Sequence, residues 1–301
     1  LIDTKEAVKD YAEEEGIEVS DIDIQDEIIS RIIAQGKHKN QSFFAFTATP
    51  KNKTIETFGT YNPVTGKKEP FHIYSMRQAI EEGFILDVLA NYTTIKEAFK
   101  IVKVSEDNPE LIEGPTSKAL FRFYKTHGYT ITQKTEMIMT NFLQNGRFKI
   151  NGHGKAMIVA DSRHNAVRYY FAIKEYIKEH PQECKGTNVL VAFSGMVKFD
   201  DDSTEYVEVN MNVGLDGKPI NSDKKLRKAF HSDDFNILVV ANKYQTGFDE
   251  PLLHSMYIDK KLKDVNAVQT LSRLNRTCRG KEDTFVLDFE NTYDDIRKAF
   301  Q

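Results

Sequence analysis

Short, continuous apolar runs separated by turn residues dominate the second half of this chain. Lys155-Ala-Met-Ile-Val-Ala-Asp161, Val189-Leu-Val-Ala-Phe193, Ile237-Leu-Val-Val-Ala241, the run 252–258 and Thr284-Phe-Val-Leu-Asp288 each read as a strand. The runs at 237–241 and 252–258 do not alternate apolar with polar residues, which predicts strands covered on both faces. Segments of helical period lie between the strands. After Asp161, the residues Ala166, Tyr170, Ile173 and Ile177 fall on one helical face, and 222–231 reads as a further helix. Strands alternating with helices predict an α/β fold with a mostly parallel sheet flanked by helices.

The first half is less regular. Residues 1–19 are acidic and helix-prone, and Ile24, Ile28 and Ile32, with Ile29 and Ile33, form a stripe that stops near Gly36. A buried strand is expected at 43–47, then a turn-rich connector from Lys51 to Lys68 with Asn62-Pro63 and Thr65-Gly66. Residues 71–75 read as a strand and 76–83 as a short helix stopped by Gly83. The stretch 90–113 is mixed; Gly114-Pro115 breaks it from helical stretches at about 115–126 and 132–145. Asp200 to Gly217 reads as an acidic surface hairpin or loop. A domain change is placed at the connector, giving units 1–68 and 69–301, with a helical segment at about 90–150 in the second.

The densest chemistry lies at 269–276, Gln-Thr-Leu-Ser-Arg-Leu-Asn-Arg. As a helix, this stretch puts Gln269, Arg273 and Arg276 on one face. Ala267, Leu271, Leu274 and Cys278 fall on the other, ready to pack on a core. Guanidinium groups stay charged and bind phosphate oxygens in a fork, so such a face suits phosphate as well as solvent. Upstream, Asn242-Lys-Tyr-Gln-Thr-Gly-Phe-Asp-Glu-Pro251 leaves the end of a strand, where ligand loops of parallel sheets gather. Gly247 allows a tight turn or close approach of backbone to ligand, and Asp249 brings a carboxylate near the arginines.

Two further loops follow strands. At Asp161-Ser162-Arg163 a hydroxyl, helix amides and a guanidinium can converge on phosphate; a helix cap beside a surface arginine fits the same residues. Ser194-Gly195 lets backbone amides reach phosphates, or forms a plain turn. Lys260, Lys261 and Lys263 make a small basic cluster, read as a solvated turn or a weak phosphate contact.

Bulk properties narrow the setting. The chain has 301 residues, 40% hydrophobic, enough for one large or two ordinary domains. Its apolar runs fall short of a membrane span of about 18 residues, and its start has no signal-peptide pattern. Two cysteines, Cys184 and Cys278, form no disulfide framework, as expected in the cytoplasm. The eight histidines include no zinc spacing, so no metal site is expected. A net charge of −4 departs from the basic excess common in nucleic-acid proteins, although a local groove can bind DNA regardless.

The order strand, Gly-Asp loop, strand, Gln-x-x-x-Arg-x-x-Arg resembles motifs V and VI of superfamily 2 helicases. Ser42-Phe-Phe-Ala-Phe-Thr-Ala-Thr-Pro50 resembles their motif III, and Asp161-Ser162-Arg163 their motif IV. With Tyr74-Ser-Met-Arg-Gln-Ala-Ile-Glu-Glu-Gly-Phe-Ile-Leu-Asp-Val88, the pattern is similar to the motor (R) subunit of type I restriction–modification enzymes over roughly residues 20–301. That resemblance implies a RecA-like second motor domain with a partial first motor domain at the N-terminus. It implies Arg273 and Arg276 as arginine fingers on ATP, with Gly247, Asp249, Gln269, Thr47 and Thr49 around the nucleotide. Ser162, Arg163, Ser194 and Gly195 would grip nucleic acid.

It further implies ATP and Mg²⁺ as cofactors, double-stranded DNA and the modification and specificity subunits as partners, and no membrane. No Gly-x-x-x-x-Gly-Lys-Ser/Thr or Asp-Glu-x-His box occurs in the chain. A piece that starts just after the Asp-Glu-Ala-His box is therefore expected, inactive alone as an ATPase, with Mg²⁺ ligands and nuclease domain outside it. Another superfamily 2 helicase or remodeller, or a docking module without motor activity, remains compatible with the motifs.

Overall fold

The computed structural model describes residues 44–47, 50, 52–95, 97, 130–199, 202–244 and 247–300. The chain divides into two compact units after Gln78.

In the first unit, α1 (Asn52–Phe58) precedes an antiparallel hairpin of β1 (Thr60–Asn62) and β2 (Lys67–Glu69). The expected turn residues close it. Asn62 Oδ1 accepts the Val64 amide at 2.9 Å, and Gly66 turns with φ +69°. The connector thus carries a helix and a hairpin, where only turns were expected. Two expected strands are corrected: residues 44–47 and 71–75 form no strand, and Phe44, Phe46 and Phe71 are 81%, 93% and 90% exposed. β-branched and aromatic residues favour a pleated surface that is half covered, and among the described residues no strand lies alongside to bond these segments. The α2 helix (Met76–Glu81) matches its expectation. Ser75 caps it by accepting the Gln78 amide, and Gly83 ends it with φ +76°.

The second unit is a six-stranded sheet. Its strands are β3 (Tyr92–Thr94), β4 (Lys155–Ala160), β5 (Val189–Ala192), β8 (Ile237–Val240), β9 (Leu253–Asp259) and β10 (Phe285–Asp288), in the order β3-β10-β9-β4-β8-β5. Every pairing is parallel. Burial on both faces explains the continuous apolar runs. Along β4, Ala156, Ile158 and Ala160 face one core, while Met157 and Val159 face the other. α3 (Ile131–Gln144) and α4 (Arg163–Glu179) cover the first face. α6 (Asp223–His231), α7 (Asp264–Leu271) and α8 (Tyr293–Ala299) cover the second.

The helix starts are written in the chain. Thr130 and Gln133 make a reciprocal capping box, and Ser162, Ser222 and Thr292 each accept an amide of the first turn. Between β5 and α6 lie an antiparallel hairpin, β6 (Met196–Phe199) with β7 (Asp202–Val207), and the short α5 (Glu208–Met211). They fill the expected acidic excursion. β3 was hidden in the mixed stretch. The helix expected at 115–126, the stripe at 24–33 and the acidic start lie outside the described residues.

Polar residues inside this sheet have partners. Lys134 pairs with Asp259, whose other oxygen accepts Tyr169 OH at 2.6 Å. At the amino ends of the strands, Lys155 Nζ donates to the Ser232 and Phe235 carbonyls at 2.7 and 2.8 Å. On the exposed side of β5, Asn212 bonds both the amide and the carbonyl of Val191, at 2.9 and 2.7 Å, and stands in for a seventh strand.

Candidate functional site

The loop after β8 follows a path imposed by topology. It leaves the carboxyl end of β8 and must reach the amino end of β9, because both strands run parallel to the β4 between them. It therefore travels the length of the sheet on the side of α6 and α7. Gly247 in this loop has φ +65°, a conformation that suits glycine. Tyr244 holds φ +68° although it carries a side chain, and it stacks on Phe248 with ring centroids 4.7 Å apart.

Three guanidiniums hold the loop. Arg227 of α6 donates to the Gly247 carbonyl at 2.9 Å and lies over the Tyr244 and Phe248 rings. Arg273 donates from Nη1 to the Phe248 carbonyl at 2.9 Å and from Nε to the Gln269 carbonyl at 3.0 Å. Arg276 Nε lies 3.1 Å from Asp249 Oδ1. Burial, and after it the neighbouring Arg276, push the Arg273 guanidinium down from its ordinary pKa, against the pull of Asp249.

The helix expected through 276 is corrected: α7 ends at Leu271. A tightened turn follows, with Arg273 N bonded to Thr270 O and Leu274 N to Leu271 O. The backbone past the turn is claimed by other groups. The Leu274 carbonyl accepts Lys281 Nζ at 2.7 Å, the Asn275 carbonyl accepts the Leu86 amide at 2.9 Å, and Arg276 bridges Ile85. Gln269, Arg273 and Arg276 thus share no helical face. Hydrogen bonds to the loop bring the two arginines together instead. The expected apolar backing stands, with Ala267, Leu271 and Leu274 buried and Cys278 partly so. Gln269 is half-buried and serves here through its carbonyl.

At the carboxyl ends of β4 and β5, the other expected residues meet. Ser162 caps α4, and Arg163 Nη1 donates to the Ser194 carbonyl at 3.3 Å. Gly195 has φ +76°, and a Cβ there would lie 2.7 Å from Arg163 Nη1, so a side chain at this position would strain the turn and push the guanidinium aside. β8 lies between β4 and β5, so the Ser162/Arg163 and Ser194/Gly195 loops flank the point where the long loop departs.

Thr47 is exposed, and Thr49 lies outside the described residues. Lys260 donates to Asn242 Oδ1 at 2.5 Å and Lys261 to the Glu290 carbonyl at 3.4 Å, both as exposed groups. Among the described residues, no group of three or more His, Cys, Asp or Glu side chains is placed to hold a metal ion. No described helix is long and apolar enough to cross a membrane. Sequence reasoning missed Arg227, Lys243, Glu208 and Lys281. Arg227 stands four residues from Asp223 and reads as half of a surface pair; nothing in the sequence marks its reach to Gly247.

Fold and site define the class: an α/β domain on a six-stranded parallel sheet, with phosphate-suited arginines against one loop and a polar rim at the strand ends. Residues 217–291 match a family model described as type I restriction enzyme subunit R domain 3. The chain is 22% identical over 257 residues to a type I restriction enzyme endonuclease subunit of Staphylococcus aureus (strain MRSA252), covering 79% of this chain and 26% of that protein. It is 24% identical over 275 residues to a putative type I restriction enzyme endonuclease subunit of Methanocaldococcus jannaschii, covering 86% and 24%.

Among solved structures it is similar to a fragment of a putative HsdR subunit of a type I restriction enzyme from Vibrio vulnificus YJ016 (TM-score 0.43, 16% identity, 79% of this chain and 36% of that chain). A second is the ATP-dependent Type ISP restriction-modification enzyme LlaBIII bound to DNA (TM-score 0.42, 13% identity, 77% and 15%). The chain is similar to the endonuclease subunits of type I restriction enzymes, and spans about a quarter of the length of the curated relatives it matches.

Proposed function

We propose that this chain forms part of the ATP-driven motor that moves a type I restriction enzyme along double-stranded DNA. In this reading residues 1–68 close the first motor domain and 69–301 form the second. The observation that carries it is the arginine pair. Arg273 is fixed by two carbonyls, while Arg276 is 44% exposed in its side chain and pairs with an exposed Asp249. One anchored and one releasable guanidinium, three residues apart, suit a polyphosphate whose charge shifts during transfer.

ATP with Mg²⁺ would supply the phosphoryl group and neutralise its oxygens, with the metal's ligands outside this chain. Arg273 and Arg276 would then act as fingers in cis, with Gly247, Asp249 and Gln269 beside them and Thr47 and Thr49 also serving the nucleotide. Ser162, Arg163, Ser194 and Gly195 would hold the DNA backbone. The modification and specificity subunits would be partners, and the cytoplasm the setting. Alone, the chain lacks the phosphate-loop and Asp-Glu-x-His boxes, so it should not hydrolyse ATP.

The test is DNA-stimulated ATP hydrolysis by the full-length gene product, its Arg276→Ala variant and this chain. Expected are turnover in the first, loss of turnover with DNA binding kept in the second, and silence in the third. Hydrolysis by this chain alone, or normal turnover in the variant, would overturn the reading.

A further inference from the structure

The long loop joins two places that the proposed motor must keep in step. It starts beside the Ser162/Arg163 and Ser194/Gly195 rim and ends at Asp249, against Arg276. Near its start, Lys243 Nζ lies 2.8 and 3.0 Å from the two oxygens of Glu208, and 3.2 Å from Asp223 Oδ1. Glu208 Oε2 in turn accepts the Phe193 amide at 2.9 Å, directly before Ser194-Gly195. The rim and the loop are therefore tied to the same carboxylate.

The chain of bonds continues through Asp223. Its Oδ1 accepts Tyr244 OH at 2.5 Å, and its Oδ2 accepts Arg227 Nε at 2.7 Å. Arg227 then reaches the Gly247 carbonyl. Burial alone would raise the Asp223 carboxyl, but the hydrogen bonds from Tyr244, Arg227 and Lys243 outweigh it and hold it at about 2. Asp223 therefore stays an acceptor throughout. The Lys243 and Glu208 side chains are only 22% and 12% exposed, so their attraction is less screened than that of a surface pair.

Resting on the motor reading above, we propose that Glu208 and Lys243 are positioning residues that transmit DNA occupancy at the Ser194-Gly195 turn to the arginine fingers. A phosphate bound at that turn displaces Phe193-Ser194, and Glu208 carries the displacement to Lys243. From Lys243 the displacement passes through Asp223 and Arg227 to the Gly247 carbonyl, next to the Phe248 carbonyl held by Arg273 and the Asp249 carboxylate paired with Arg276. Glu208 would touch neither DNA nor nucleotide.

A purely structural role is the rival account, since Glu208 also helps cover the free side of β5 beside Asn212. Glu208→Gln separates the two. It keeps an oxygen for the Phe193 amide and removes the charge that holds Lys243. Lys243→Met leaves the cover untouched and frees the loop.

The experiment compares wild type, Glu208→Gln, Lys243→Met and the double variant in the full-length gene product. ATPase is measured with and without linear duplex DNA, alongside DNA affinity without nucleotide and the melting temperature. Expected is a fall of about tenfold in DNA stimulation for each single variant, and no further fall in the double. Basal turnover and DNA affinity should stay within about twofold, and Lys243→Arg should restore stimulation. Undiminished stimulation in folded variants would overturn the proposal, and so would a lowered melting temperature with stimulation retained. Normal turnover in Arg276→Ala would instead remove the motor reading beneath it, so the two failures are distinguishable.

Discussion

Arg276 is paired with Asp249 across an interval of 27 residues, at 3.1 Å, with the two side chains 44% and 70% exposed. An ion pair so open to solvent is worth about 0–1 kcal/mol. Arg276 can therefore leave Asp249 for a stronger anion at little cost. Arg273 cannot move so freely, because it satisfies the Phe248 and Gln269 carbonyls. Arg276→Ala should leave the unfolding free energy within about 1 kcal/mol while cutting DNA-stimulated turnover about 10³-fold. Arg273→Ala should lose turnover and also about 1–2 kcal/mol of stability, since the Phe248 carbonyl loses its donor. Urea unfolding of this chain, set beside turnover of the full-length product, checks both.

Arg163 and Gly195 make a second pair whose roles differ. Removing one phosphate contact should lower the slope of log affinity against log salt by about 1, so Arg163→Ala should do so across unrelated DNA sequences. Gly195→Ala forces a Cβ into a left-handed turn and to within 2.7 Å of the Arg163 guanidinium. It should weaken DNA binding by moving Arg163 aside, and the added effect of Arg163→Ala in that background should be small. A salt titration of duplex binding reads both; full additivity would dissociate the glycine from the arginine.

Lys281 carries a pH signature. Its Nζ donates to the Pro251, Leu253 and Leu274 carbonyls at 3.2, 2.7 and 2.7 Å. Burial lowers its pKa from 10.5 to about 8, against the pull of Cys278 and Glu250. Between those values the unfolded chain keeps a proton that the folded chain has released, so this lysine makes stability rise with pH across the window. Below pH 8 the cost of the buried charge is present in full. At ~1.4 kcal/mol per unit, the shift sets a ceiling of about 3 kcal/mol. Lys281→Met should flatten that rise. Parallel wild-type and variant profiles between pH 7.5 and 9.5 would show that the lysine titrates at its ordinary value.

Lys134 and Asp259 are 10% and 8% exposed in their side chains. Removing one partner of a buried pair strands the other, so Lys134→Met should cost about 3–5 kcal/mol. Lys134→Met with Asp259→Leu should recover part of the loss, short of full recovery because Tyr169 OH loses its acceptor. Chemical denaturation of the four proteins of this cycle measures the coupling. An additive cycle would mean that the pair contributes nothing specific.

Legibility in the sequence followed burial. The strands at 155–160, 189–192, 237–240, 253–259 and 285–288 were readable because parallel strands covered on both faces are mostly apolar. Phe44, Phe71 and Ile73 carried the same local signal and are exposed, because local preference cannot report whether a neighbouring strand exists. β3 escaped for the opposite reason: three residues hold no period. In the site, Arg273 and Arg276 were legible as chemistry, but their geometry was not. The helix that would have aligned them stops at Leu271, where carbonyls further on bond Lys281 and Leu86, residues that no sequence periodicity links to the arginines.

Tyr92 on β3 donates to Asp288 on β10 at 2.6 Å, joining positions 196 residues apart. β3 is the first strand of the sheet to be synthesised, and its neighbour is the last. As the chain leaves the ribosome, β4, β8, β5 and β9 can assemble from the middle, while β3 waits without a strand to bond. Only when Asp288 emerges can that margin close, and loop closure over such a span is slow compared with local pairing. β3 is therefore the strand of this sheet left longest without a partner during synthesis, and a ribosome stalled before residue 285 would hold a sheet lacking both β3 and β10.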